Sequence, residues 1–184
     1  MDLLKIIPDK IETYNDSCIL DKEIFSNKLL IKFIFKSNRK SSLEIKRFVD
    51  DKIFFFGLGL FAGEGTKRRK SGVINKDGIE IINSDPVLIN CFLDFLEQLG
   101  FEKWKCKARI QISCSGYEKL QFIKESTKFW QSVTNIPIEN FNSPNIRIKK
   151  NPKQKSKNGS MNIRLFSIPL CRLMEFWIKN IESL

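Results

Sequence analysis

Apolar residues between Asp85 and Gly100 recur every three or four positions: Leu88, Cys91, Phe92, Phe95, Leu96 and Leu99. That period predicts an amphipathic helix with one stripe turned inward. Its ends are marked as well. Asp85 can cap the free N–H groups, Pro86 suits the first helical position, and Gly100 stops the helix. A different period governs Lys105 to Cys114, where Lys105, Lys107, Arg109 and Gln111 alternate with Cys106, Ala108, Ile110 and Ile112. Period two predicts a strand with one wet, basic face and one buried face. Further on, Tyr117 to Val133 reads as a helix with a break near Ser126. Ile146–Lys149 and Met161–Ile168 read as a strand pair, and Pro169 opens a last helix carrying Leu170, Leu173, Met174, Trp177, Ile178 and Ile181.

The segment Lys52 to Gly63 (KIFFFGLGLFAG) is apolar almost all round and contains Gly57, Gly59 and Gly63. Glycine weakens a lone helix but lets two helices approach closely, so the segment reads as a buried helix against a second helix. A buried strand fits its length too. After it, Lys76-Asp77-Gly78 is a turn signal, predicting a hairpin with strands near 66–75 and 78–83. Upstream, Lys28 to Lys36 suits a strand, and Ser41 to Val49 suits either a short helix or a strand. Residues 1–51 form an extension of undecided role, its apolar element expected to lie against a main domain over 52–184. The expected class is α+β. From residue 52 the order is α-β-β-α-β-(α)-β-β-α, with the strands in one antiparallel, curved sheet backed by helices.

Composition narrows the class. The chain has 184 residues, 42% of them hydrophobic with 16 Phe, enough for a core without disulfides. Its 32 Lys and Arg against 21 Asp and Glu give a net charge of +11. Such an excess attracts a polyanion, nucleic acid first and an anionic membrane surface second. Biased codon usage rich in Lys, Asn, Ile and Phe yields the same excess without any partner. The five cysteines, Cys18, Cys91, Cys106, Cys114 and Cys171, show no C-x2-C spacing and histidine is absent. Reduced thiols packed as small apolar groups are expected. No apolar run matches a membrane span, and the opening MDLLKIIPDK lacks the pattern of a signal peptide, so a soluble intracellular protein is expected.

Gly57-Leu58-Gly59-Leu60-Phe61-Ala62-Gly63-Glu64-Gly65 resembles the LAGLIDADG motif of homing endonucleases. Gly59, Leu60, the acidic Glu64 and the closing Gly65 match. Gly63 stands for the motif's second Ala, Ala62 for its first Asp, and Gly57-Leu58 for its opening Leu-Ala. The predicted order after the motif is that of the family. Asn83-Ser84-Asp85-Pro86 and Phe129-Trp130 with Ile136-Pro137 also resemble single-motif prokaryotic members. The resemblance spans roughly residues 52–182, and no second motif copy is present.

The resemblance implies a homodimeric, site-specific double-strand DNA endonuclease with a saddle-shaped sheet, active in intron or intein mobility at a long, partly palindromic target. Motif helices of two subunits would pair through Phe55, Phe56, Gly59, Leu60 and Gly63, and each would bring Glu64 to the centre of the DNA. There the two carboxylates, with the Gly63 carbonyl, would hold Mg2+ or another divalent ion. A carboxylate at a helix C-terminus faces the negative end of the dipole, which makes a purely structural Glu64 less natural. Asp85 serves as a helix cap or helps position water or metal. Lys67 reaches a scissile phosphate or is an ordinary strand lysine. Lys67, Arg68, Arg69, Lys70, Lys105, Lys107, Arg109, Gln111, Arg147, Lys149, Lys150 and Arg164 fall on predicted strands and turns, where they would meet phosphates and base edges.

Two other readings compete. One is a DNA-binding regulator or RNA-binding intron maturase that kept the fold and lost cleavage, which Ala62 and the long extension favour. The other is a basic protein-binding or membrane-surface module, which predicts no steep salt dependence of DNA affinity.

Overall fold

The structure, a computed structural model, describes residues 1–13, 16–65, 78–114, 119–148 and 157–183. The class is α+β, with two four-stranded sheets and four α-helices among the described residues. Of the expected hairpin, the first strand near 66–75 lies outside the described residues.

The first sheet is a meander of β1 (Lys10–Thr13), β2 (Asp16–Phe25), β3 (Lys28–Phe35) and β4 (Lys40–Lys46), each antiparallel to the next. Ser41–Val49, open between helix and strand in sequence, supplies β4. On β3, Leu29, Ile31, Phe33 and Phe35 are buried, whereas Lys28 and Ile34 are exposed and Leu30 and Lys32 half-buried. The outer face carries its own ion pairs, Lys28 with Glu44 at 2.6 Å and Lys32 with Glu23. The N-terminus is tied down by the Arg47 guanidinium, which donates twice to the Asp2 carboxylate and holds its pKa below the ordinary carboxylate value.

Next comes α1 (Asp51–Glu64), capped by the Asp50 side chain accepting from the Ile53 N–H at 3.0 Å. The glycine-rich segment is therefore a helix. Phe54, Gly57, Leu58 and Phe61 are its buried side, packed against α2 (Pro86–Leu99). A Cβ on Gly57 would overlap the Cβ, Cγ and Cδ2 atoms of Phe95, so only glycine permits this approach. Asp85 caps α2 by accepting from the Val87 N–H at 2.8 Å, and Gly100 ends it with φ of 100°. The buried stripe on α2 is Ile89, Phe92, Leu93, Phe95, Leu96 and Leu99. Leu88 and Cys91, expected inside, are only half-buried, because the stripe is turned toward both α1 and the sheets.

The second sheet is built from β5 (Ile79–Asn83), β6 (Lys107–Cys114), β7 (Phe141–Ile148) and β8 (Ser160–Leu165), in the order β5-β8-β6-β7. This corrects two expectations. The sheet is not wholly antiparallel, since β6 and β7 run parallel, and β7 does not pair with β8, because β6 lies between them. The crossover that allows the parallel pair is α3 (Lys119–Thr134), which runs unbroken past the buried Ser126. The last helix, α4 (Ile168–Lys179), starts on the Ser167 cap and carries Pro169 in its first turn.

The buried apolar side chains form one cluster that includes both sheets. Phe54 of α1 meets Trp177 of α4 edge-on at 5.2 Å, and the Trp177 indole donates to the Ile6 carbonyl at 3.1 Å. The meander thus shares its interior with the helices, as expected of an apolar element lying against the remaining fold. None of the five cysteines forms a disulfide among the described residues. No helix among the described residues is long and apolar enough to cross a membrane.

Candidate nucleic-acid interface

Alternation on the second sheet separates two faces. Ile79, Ile81, Ala108, Ile110, Ile112, Met161, Ile163 and Leu165 are buried. The opposite face is polar, and strand register sorts it into rows. Glu80, Arg164 and Lys107 form the first row. Ile82, Asn162, Arg109 and Asn142 form the second. Ser160, Gln111 and Asn145 form the third, followed by Ser113 and Arg147. Cations thus outnumber carboxylates four to one over these rows, Lys107, Arg109, Arg147 and Arg164 against Glu80. The Glu80 carboxylate accepts from the Asn162 amide at 2.6 Å. Arg109 and Arg147 are exposed, while Gln111 and Arg164 are half-buried. Amides and guanidinium groups on one pleated face are the side chains that read base edges and hold phosphates.

Expected contacts differ in detail. Lys105 is not on the strand, as the alternation suggested. It ends a 3-10 turn over 103–105, with its ammonium 5.4 Å from the centre of the Trp104 ring. Lys107 is half-buried and donates to the Asn140 side chain at 2.5 Å. Lys67, Arg68, Arg69, Lys70, Lys149 and Lys150 lie outside the described residues. Sequence reasoning missed Asn142, Asn145 and Asn162, although the alternation of Met161, Ile163 and Leu165 with Asn162 and Arg164 carried the signal for the last.

The helix end comes next to this face. Glu64 is the last residue of α1 and is exposed. Gly65 forms a bridge with Ile81 in antiparallel sense, so Glu64 stands toward the Ile82–Asn83 end of β5. The same end leads into Asp85 at the start of α2. The end of α1 and the start of α2 therefore both lie at the β5 edge of the described sheet, where the row that runs inward through Asn162 to Arg109 begins at Ile82. Asp85 is engaged as the cap, the structural role weighed for it in sequence.

One side of α1 is left open. Phe56 is 52% exposed, Gly59 and Gly63 are exposed, and Phe55 and Leu60 are half-buried. A Cβ on Gly59 or Gly63 would meet nothing within 4 Å among the described residues. The three helical glycines thus divide the work. Gly57 lets α1 approach α2 within the chain, while Gly59 and Gly63 form a smooth stripe on the opposite side.

At the C-terminus of α1 stand one exposed carboxylate, Glu64, and the backbone carbonyls of the last turn, that of Gly63 among them. Oxygen donors of this kind fit a hard cation. Among the described residues no cluster of three or more His, Cys, Asp or Glu stands ready to hold a metal. Beneath the interface, burial pushes the Cys106 thiol up to about 12, with Glu97 adding to the shift, so it is an inert packing group. No family model, curated protein or solved structure matches the chain.

Proposed function

We propose that the protein is a LAGLIDADG-type homing endonuclease, acting as a homodimer on duplex DNA. One observation carries the reading. The glycine stripe Gly59–Gly63 lies open on the far side of α1 from the intrachain contact, and it ends at an exposed carboxylate beside a cationic, amide-rich sheet face. A second copy of α1 on that stripe would bring two Glu64 side chains together, and two polar sheet faces would then extend outward along the DNA.

Glu64 of each copy and the Gly63 carbonyl would hold the divalent ion, Mg2+ being the natural choice for few carboxylates and many waters. When bound, such an ion supplies charge neutralisation at the phosphate and a more acidic water. The chain's own groups do the remainder. Arg109 and Arg147 fix the duplex through phosphates and base edges, Gln111 and the asparagines add amide donors and acceptors, and the open stripe of α1 holds the two subunits in register. Lys67 is proposed to approach the scissile phosphate, and Asp85 to orient water near the capped end of α2.

The catalytically inactive regulator, or RNA-binding maturase, is the second reading, favoured by Ala62 in place of the motif's first carboxylate. Incubation with a plasmid library and Mg2+ separates the two. The endonuclease reading predicts linear product from the wild type, none from Glu64→Gln, and equal duplex affinity for both. Binding without cleavage by the wild type would favour the second reading.

A further inference from the structure

A second set of exposed groups lies off the end of the polar face, where β4 comes near the start of β6. A groove there is lined by Ser42, Glu44, Trp104, Lys105, Lys107 and Phe166, among others. Two large aromatic rings are exposed in it, Trp104 at 57% and Phe166 at 55%. Each carries a cation on its face, Lys105 over Trp104 at 5.4 Å and the Arg164 guanidinium over Phe166 at 4.5 Å. The lining is held from below. The buried Asn140 amide donates to the Trp104 carbonyl, and its oxygen accepts from Lys107 at 2.5 Å. The two carboxylates nearby are engaged, Glu44 with Lys28 at 2.6 Å and Glu102 with the Trp104 indole N–H. Lys105 and Lys107 then outnumber Glu102, whose charge a neutral indole N–H does not cancel, and give the groove a positive sign.

Exposed rings cost hydrophobic free energy, and paired cations add charge attraction. A ligand that answers both offers a flat π face joined to an anion. We propose that this groove takes an unpaired base and its adjoining phosphate from a single-stranded nucleic acid, the base stacking on Trp104 or Phe166 and the phosphate meeting Lys105 and Lys107. This site adjoins the duplex face at Lys107 but lies away from Arg109 and Arg147, and it does not depend on cleavage.

The protein carries its own probe. Trp130 and Trp177 are 0% exposed and donate to the Asn158 and Ile6 carbonyls, so Trp104 is the tryptophan a ligand can reach. Titrating the full chain with an eight-nucleotide oligothymidylate should quench tryptophan emission saturably and shield it from acrylamide. An abasic oligomer of equal length and charge should bind about ten-fold or more weakly and quench little. Phe166→Ala should weaken the oligothymidylate by a similar factor. Trp104→Phe should abolish the quenching. Arg109→Ala with Arg147→Ala should weaken duplex binding while leaving the oligomer titration unchanged, which keeps the two sites distinguishable. Equal affinity for the abasic and base-bearing oligomers, measured on the wild type, would overturn the proposal, as would quenching that survives Trp104→Phe.

Discussion

Gly57 and Gly59 are two residues apart in sequence and have opposite surroundings. Gly57→Ala forces a methyl group into Phe95 and should cost about 1–3 kcal/mol, read as a lower urea midpoint. Gly59→Ala enters open space in a helix and should stabilise the monomer by about 0.5–1 kcal/mol on propensity alone. If Gly59 lies in a subunit contact, the same change should weaken dimerisation. Sequence showed that glycine allowed close approach but not which glycine faced which neighbour, because an all-apolar helix has no polar face to orient it. Cys106 gives a pH prediction. Its folded pKa of about 12 is raised above the ordinary 9.0, so its contribution is complete below about pH 9. From about pH 9 to about pH 12 the unfolded thiol ionises while the folded one keeps its proton, and stability falls. Cys106→Ala should therefore show a shallower alkaline decline in unfolding midpoint than the wild type.

Elements with strong punctuation were legible. The Asp85 cap, Pro86 and the left-handed Gly100 bound α2 as the sequence predicts. Alternation marked β6 from Lys107 onward but carried it back to Lys105, which belongs to a 3-10 turn, and alternation tells which way a side chain points and not which strand lies beside it. The insertion of β6 between β7 and β8, and the parallel β6–β7 pair, depend on the α3 crossover and leave no local trace. The meander was the least readable part, yet Leu29, Ile31 and Phe33 on β3 are each fully buried in the shared core. A chain begun at Asp51 should lose cooperative unfolding and bind a hydrophobic dye. Cooperative unfolding of that chain near the full-length midpoint would show that the meander is dispensable to the core.

At the scale of the molecule, four cations of the basic excess, Lys107, Arg109, Arg147 and Arg164, sit on the rows of the second sheet against Glu80. Duplex affinity should fall steeply with salt, and Arg109→Ala and Arg147→Ala should each reduce the log–log slope by about one. A parallel loss of affinity with no change in slope would remove those residues from the phosphates. Glu64 was singled out in sequence through the motif that contains it, since a single carboxylate at a helix terminus is not a site until a second subunit meets it. The pairing of two such helices over DNA is the claim on which the rest turns, and strand-resolved mapping of cuts in selected duplexes tests it most directly. The account predicts two Mg2+-dependent cuts placed symmetrically about the centre of a partly palindromic site, both lost in Glu64→Gln. Cuts without that symmetry, or cuts that persist in Glu64→Gln, would contradict it.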